Sequence, residues 1–143
     1  MRLDIYQAET ERLSHEQSAL LAEAKHKLQT EHRLTSLEQA GVLHTVQILI
    51  ENAIGKAKHL LKAADEPVPT SAYDAFASLA RIGTIKPEDL PEWNAIIGIR
   101  NRIVHDYMNI DMAIILNLVS TGRYQFVTDF LMRPISGEAK PLG

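Results

Sequence analysis

The sequence predicts an all-α protein, an up-and-down bundle of four or five helices. Three observations carry this. Apolar residues recur at spacings of three, four and seven over long stretches, which is the period of one helical face. No run of alternating apolar and polar residues bounded by turn signals occurs, and there is no Asn-Gly or Asp-Gly hairpin turn. Proline and glycine residues separate the periodic segments, as breakers should.

The first segment spans about residues 2–31, with Leu3, Tyr6, Leu13, Leu20, Leu21, Ala24 and Leu28 as its expected core stripe. "TSLEQ" at 35–39 offers a capping box to open the second, from Thr35 with Glu38 or Ser36 with Gln39. That helix runs to about Ala64 on a stripe of Leu37, Ala40, Leu43, Ile50, Ile54, Ala57, Leu61 and Ala64. "DEPVPT" stops it, because proline lacks the amide donor and clashes with the preceding turn. A short third helix follows from about Ser71, its N-cap, to Arg81, with Asp74 in the first turn and Gly83 just past the end. "TIKPEDLPEW" begins the fourth, placing Glu88, Asp89 and Glu92 where the helix dipole favours negative charge. Asp111 can cap a fifth, expected to reach about Met132.

Bulk properties narrow the function classes. A chain of 143 residues reads as one domain over 1–133, followed by a polar, Pro/Gly-rich tail over 134–143 that is expected to be flexible. Hydrophobic residues at 45% and charged residues at 23% belong to a globular chain, not a disordered one. The net charge of −3 gives no general attraction to nucleic acid, so any polyanion site must be a local patch. With no cysteine there are no disulfides, thiolate nucleophiles or soft zinc ligands. No signal peptide or spanning apolar run is visible, and a cytoplasmic location is expected.

One stretch stands out. "RNRIVHDY" at 100–107 puts two arginines, a histidine and a tyrosine into an otherwise apolar segment. On a helix, Asn101 and Arg102 neighbour His105, at four and three residues, and Arg100 nearly eclipses Tyr107 at seven. Ile96, Ile99 and Ile103 form the apolar stripe, flanked by Ile97 and Val104. Arg100 and His105 lie about 140° apart around one helix, and a second copy in a dimer could bring them together. On physical grounds alone two readings stand. The polar residues are a solvated face with a dipole-favoured terminal histidine, or they form a site.

The octet resembles the Arg-X4-His-X-Tyr signature of HEPN domains, specifically the small HepT-type toxins paired with minimal nucleotidyltransferase antitoxins. The likeness extends to "VQILIENAIGKAKHLL" at 46–61, "PTSAYDAFASLARIGTI" at 69–85 and "IIGIRNRIVHDYMNID" at 96–111, covering roughly residues 37–120. The resemblance implies a homodimer with the site in the cleft between two motif helices. It implies a metal-independent endoribonuclease without cofactor, acting as the toxin of a type VII-like toxin-antitoxin system. RNA is then the substrate and a minimal nucleotidyltransferase the partner. The alternative is a non-catalytic HEPN binding subunit of a two-component nucleotidyltransferase.

Residue by residue, the resemblance assigns Arg100 to phosphoryl charge and His105 to proton transfer, chemistry that suits a guanidinium and an imidazole. Asn101 would orient the imidazole or donate to phosphate. Arg102 would bind phosphate or pair with Asp106; Asp106 would face solvent or hold His105 of a partner chain. Tyr107 would pack at the helix end or accept AMP. The remaining histidines are scattered, without the i, i+3 or i, i+4 spacing of metal ligands on one helical face. Lys56, Lys58 and Lys62 form a basic group that could extend an RNA path.

Overall fold

The computed structural model describes residues 3–135, and over them six α-helices and two short 3-10 turns form the architecture: α1 (Leu3–Glu31), α2 (Ser36–Ala63), α3 (Ala72–Arg81), α4 (Leu90–His105), α5 (Met112–Ser120) and α6 (Gln125–Met132). The all-α expectation holds. The helix starts follow the local chemistry. Thr35 and Glu38 form the capping box at α2, the Thr35 side chain accepting from Glu38 N at 3.1 Å and Glu38 Oε1 from Thr35 N at 2.8 Å. Ser71 caps α3, and Asp111 caps α5 by accepting from Ala113 N at 3.0 Å.

The stops are equally local. Asp65 takes a left-handed φ of 56° just after α2, and Glu66 N reaches back to Leu61 O at 2.9 Å before the first proline appears. Gly83, at φ 82°, closes α3 in the same manner, with Thr84 N on Leu79 O at 2.9 Å.

Other expectations fail. The fifth helix does not run unbroken to Met132. Gly122 adopts a φ of 76°, which only glycine takes without strain, and the chain turns there to separate α5 from α6. The core stripe of α1 is also different. α1 buries Gln7, Thr10, Ser14, Gln17 and Leu21, while Leu20 is 55% exposed. The reason lies in what α1 packs against. Gln7 Nε2 donates to Leu131 O at the end of α6 at 3.0 Å, and Gln17 Oε1 accepts from Asn52 of α2 at 3.1 Å. Gln7 and Gln17 thus face inward toward polar groups, whereas Ser14 Oγ and Gln7 Oε1 are buried without a partner.

In α2, Leu43, Ile50, Ile54, Ala57 and Leu61 are buried as expected, but Leu37 is 82% exposed and Ala40 and Ala64 also face out. Lys56 is the larger surprise, at 1% exposure. Its ammonium donates to Phe130 O at 2.8 Å, Leu131 O at 3.2 Å and also Arg133 O, closing the C-terminal end of α6 from the inside. Burial, with Arg133 close by, pushes its pKa down to about 8. Lys58 is tied to Thr70 O at 3.0 Å. Lys56 therefore drops out of the basic group read from the sequence, which leaves Lys58 and the exposed Lys62. Of the expected tail, Ile135 is buried; residues 136–143 lie outside the described ones.

The core unites all six helices, and its aromatic centre fixes α4. Phe76 of α3 stacks on Trp93 of α4 at 4.2 Å, and Phe130 of α6 meets Trp93 edge-on at 5.0 Å. Glu92 and Arg123 add a two-pronged ion pair between α4 and the turn before α6, closest at 3.1 Å. The N-terminal half of α4 is thus clamped, and its other half carries the octet.

Candidate functional site

The buried face of α4 is Trp93, Ile96, Ile97 and Ile103. Trp93 rotates it away from the Ile96–Ile99–Ile103 stripe read from the sequence, and Arg100 falls inside this face instead of beside it. Arg100 is accordingly half-buried, with Nε sealed from solvent and lacking a hydrogen-bond partner. His105 is exposed and is the last residue of the helix. Arg102, exposed, shares that last turn, so its guanidinium and the His105 imidazole both stand at the end where the helix carbonyls concentrate partial negative charge.

The octet does not finish as helix. Asp106, at φ −144° and ψ 42°, turns the chain out, and Tyr107–Asn109 form a 3-10 turn. Tyr107 therefore does not eclipse Arg100; that inference assumed a regular helix beyond His105. The tyrosine is instead 54% exposed on the turn, beside Met108 at 90%. Asp106 does not pair with Arg102. Its Oδ1 accepts from Asn109 Nδ2 at 2.7 Å and clasps the turn.

Asn101, half-buried, sits one helical turn before His105 and donates through Nδ2 to the hydroxyl of Tyr73 at 3.4 Å. That contact with α3 had no sequence signal. On the other side, a groove of about 230 Å³ opens between α4 and α5, lined by Gly98, Ile99, Arg102, Ile110 and Ile114 among others. Small residues at Ala95 and Gly98 and the exposed Val104 and Ile114 leave this end of α4 open and partly apolar.

The structure thus gathers Asn101, Arg102, His105 and Tyr107 at one end of α4, with Arg100 entering from the helix's inner side. Among the described residues, the side chains of Arg100, Arg102, His105 and Tyr107 make no hydrogen bond or ion pair. By contrast Arg12, Arg81 and Arg123 each hold a carboxylate.

An all-α bundle with Arg100, His105 and Tyr107 near the end of α4 agrees with the HEPN resemblance of the sequence. The chain belongs to the family described as "HepT-like: Ribonuclease HepT-like", whose model matches residues 14–133. The match reaches further than the resemblance over 37–120, taking in the second half of α1 and all of α6. The mRNA nuclease HepT of Shewanella oneidensis is 28% identical over 81 residues, which are 57% of this chain and 61% of that protein. The chain thus spans about three fifths of the curated relative's length.

Two solved structures share the fold. A toxin-antitoxin crystal structure with AMP-PNP aligns at a TM-score of 0.69 and 20% identity, over 92% of this chain and 95% of that one. The tri-AMPylated HEPN toxin of Shewanella oneidensis, in complex with MNT antitoxin, aligns at 0.67 and 20% identity, over 92% and 98%. No helix among the described residues is long and apolar enough to cross a membrane.

Proposed function

We propose that this chain is the toxin of a toxin-antitoxin pair, a metal-independent endoribonuclease whose site is Arg100 and His105, supported by Asn101, Arg102 and Asp106. The observation that carries this reading is the uncommitted polar capacity at the end of α4. Arg100 Nε is sealed from solvent without a partner, which is costly unless a ligand completes the guanidinium, and Arg102 and His105 stand exposed at the same helix end. A phosphodiester is such a ligand. Guanidinium groups match its oxygens, and an exposed imidazole can take the proton of a ribose 2′-hydroxyl and return one to the leaving oxygen.

The reading includes a homodimer. On one helix Arg100 faces inward and His105 outward, and packing two α4 ends together is the simplest way to enclose a phosphate between one protomer's arginine and its partner's histidine. The exposed Val104, Met108 and Ile114 supply apolar surface for that contact. In this arrangement Asp106 remains the clasp of the turn.

Tyr107 is the control point. Its exposed phenol is accessible to a partner nucleotidyltransferase, the class of antitoxin seen beside the HEPN toxin of similar fold. The phenolic oxygen attacks the α-phosphorus of ATP, forming the O–P bond as pyrophosphate leaves, and the phenol proton passes to solvent or a base. The added AMP brings negative charge to the end of α4, where it competes with RNA for Arg102 and Arg100.

Incubation of the chain with its partner and ATP, followed by intact mass measurement, tests the assignment. Wild type should gain AMP and lose activity on RNA together. A chain that accepts AMP but never cleaves RNA is the binding subunit of a two-component nucleotidyltransferase instead.

A further inference from the structure

Tyr73 lies outside the octet, on the first turn of α3, yet its hydroxyl is bonded to the octet's Asn101 at 3.4 Å. The contact is built by the fold around it. Ser71 caps α3 one residue before its first helical position, and Phe76, one turn after Tyr73, is stacked on Trp93 of α4 at 4.2 Å. The register between α3 and α4 is thereby set. α4 then presents Gly98 and Asn101, three residues apart on one face, toward the ring. A Cβ at Gly98 would stand 3.6 Å from the Tyr73 oxygen, so the phenol rests directly against the helix surface. Tyr73 is 39% exposed.

Resting on the ribonuclease reading above, we infer that Tyr73 is a positioning residue of the site, acting through Asn101. A free carboxamide on a helix surface rotates about its terminal torsion, which is broad and nearly two-fold. Once one Nδ2 hydrogen is held by the phenol, the second Nδ2 hydrogen and Oδ1 point in fixed directions. Asn101 stands one turn before His105, so the groups so fixed lie on the helix face that carries the imidazole. The hydroxyl accepts from Asn101, and its own hydrogen remains to be donated elsewhere. Tyr73 touches no reacting atom in this account. It sets the orientation of Asn101, which supports Arg100 and His105.

The test is a double-mutant cycle on the full-length chain with Tyr73→Phe, Asn101→Ala and both, reading kcat and KM for RNA cleavage, thermal stability and the side-chain amide resonance of Asn101. Tyr73→Phe keeps the ring and its packing. It should lower kcat about 3- to 10-fold, the size of one lost hydrogen bond, with KM and melting temperature unchanged. In the Asn101→Ala background it should do nothing further, because the group it positions is gone.

The Asn101 amide resonance should move in Tyr73→Phe, and this reading needs no activity. Full additivity of the two substitutions, a rise in KM alone, or an Asn101 amide indifferent to Tyr73→Phe would each overturn the inference. A wild-type chain inert toward RNA would refute the ribonuclease reading, and the amide resonance would still decide whether Tyr73 holds Asn101.

Discussion

Lys56→Met removes an ammonium and keeps most of the side chain's volume. In the folded chain that ammonium serves three carbonyls at the end of α6, those of Phe130, Leu131 and Arg133. Leu131 O keeps a second donor in Gln7 Nε2 at 3.0 Å, but the other two have no replacement among the described residues. A buried acceptor left unmade costs roughly 1–3 kcal/mol, so two of them amount to about 2–6 kcal/mol. Relief from burying a charge offsets part of this, leaving a loss of roughly 2–4 kcal/mol at pH 7.

The pH dependence gives a second handle. The folded pKa of Lys56, about 8, lies below its ordinary value of 10.5. The charged form is thus disfavoured by folding, and that penalty is present in full below pH 8. As pH rises from about 8 to 10.5 the folded chain releases its proton before the unfolded chain does, and the penalty fades. Wild type should therefore gain stability relative to Lys56→Met across that window, by roughly 3 kcal/mol when complete. Urea unfolding of both proteins at pH 7, 8, 9 and 10 measures this. A Lys56→Met protein as stable as wild type at pH 7, or a difference independent of pH, would refute the reasoning.

Other expectations concern single positions. Gly122→Ala forces an L residue to a φ of 76° and should cost about 1–2 kcal/mol by the same assay, with its Cβ meeting the flexible ends of Lys25 at 3.4 Å and Gln125 at 3.7 Å. Thr35→Ala removes half of the capping box and should cost about 1 kcal/mol, leaving activity unchanged. Tyr107→Phe should leave RNA cleavage intact while abolishing the mass gain with ATP and the partner nucleotidyltransferase, because the acceptor oxygen is gone. Val104→Glu together with Met108→Glu should yield a monomer in sedimentation that no longer cleaves RNA, as charge is costly on an apolar contact.

Local signals in the sequence were read well and tertiary ones were not. The caps at Thr35, Ser71 and Asp111 depend on two to four neighbouring residues, so their chemistry is complete within the segment. The helix end at Asp65 needs no partner either. The inner face of α1 is different, because Gln7 and Gln17 are buried only by virtue of carbonyls and amides brought by α6 and α2. Lys56 likewise reads as a surface cation until α6 ends above it.

The octet shows both cases. Its residue types are visible at once, and the exposure of His105 follows from helical spacing. The rotation that half-buries Arg100 is set by Trp93 against Phe76 and Phe130, contacts of 17 to 37 residues' separation that no periodicity reports. The break at Asp106 removes the assumed alignment of Arg100 with Tyr107. Gly122 was legible in principle, since a Thr-Gly pair within an apolar-periodic stretch is a turn signal. Tyr73 had no such signal.

The central claim is that the end of α4 cleaves RNA with its own side chains. It is tested most directly by incubating the purified wild-type chain and His105→Ala with RNA in excess EDTA and examining the product ends. His105 is exposed at the helix end, so its removal should leave the melting temperature nearly unchanged. Wild type should cleave in EDTA and leave 2′,3′-cyclic phosphate ends, and His105→Ala should be slower by about 10²–10⁴-fold. Equal cleavage by both proteins, or cleavage that EDTA stops and a divalent ion restores, would contradict the account.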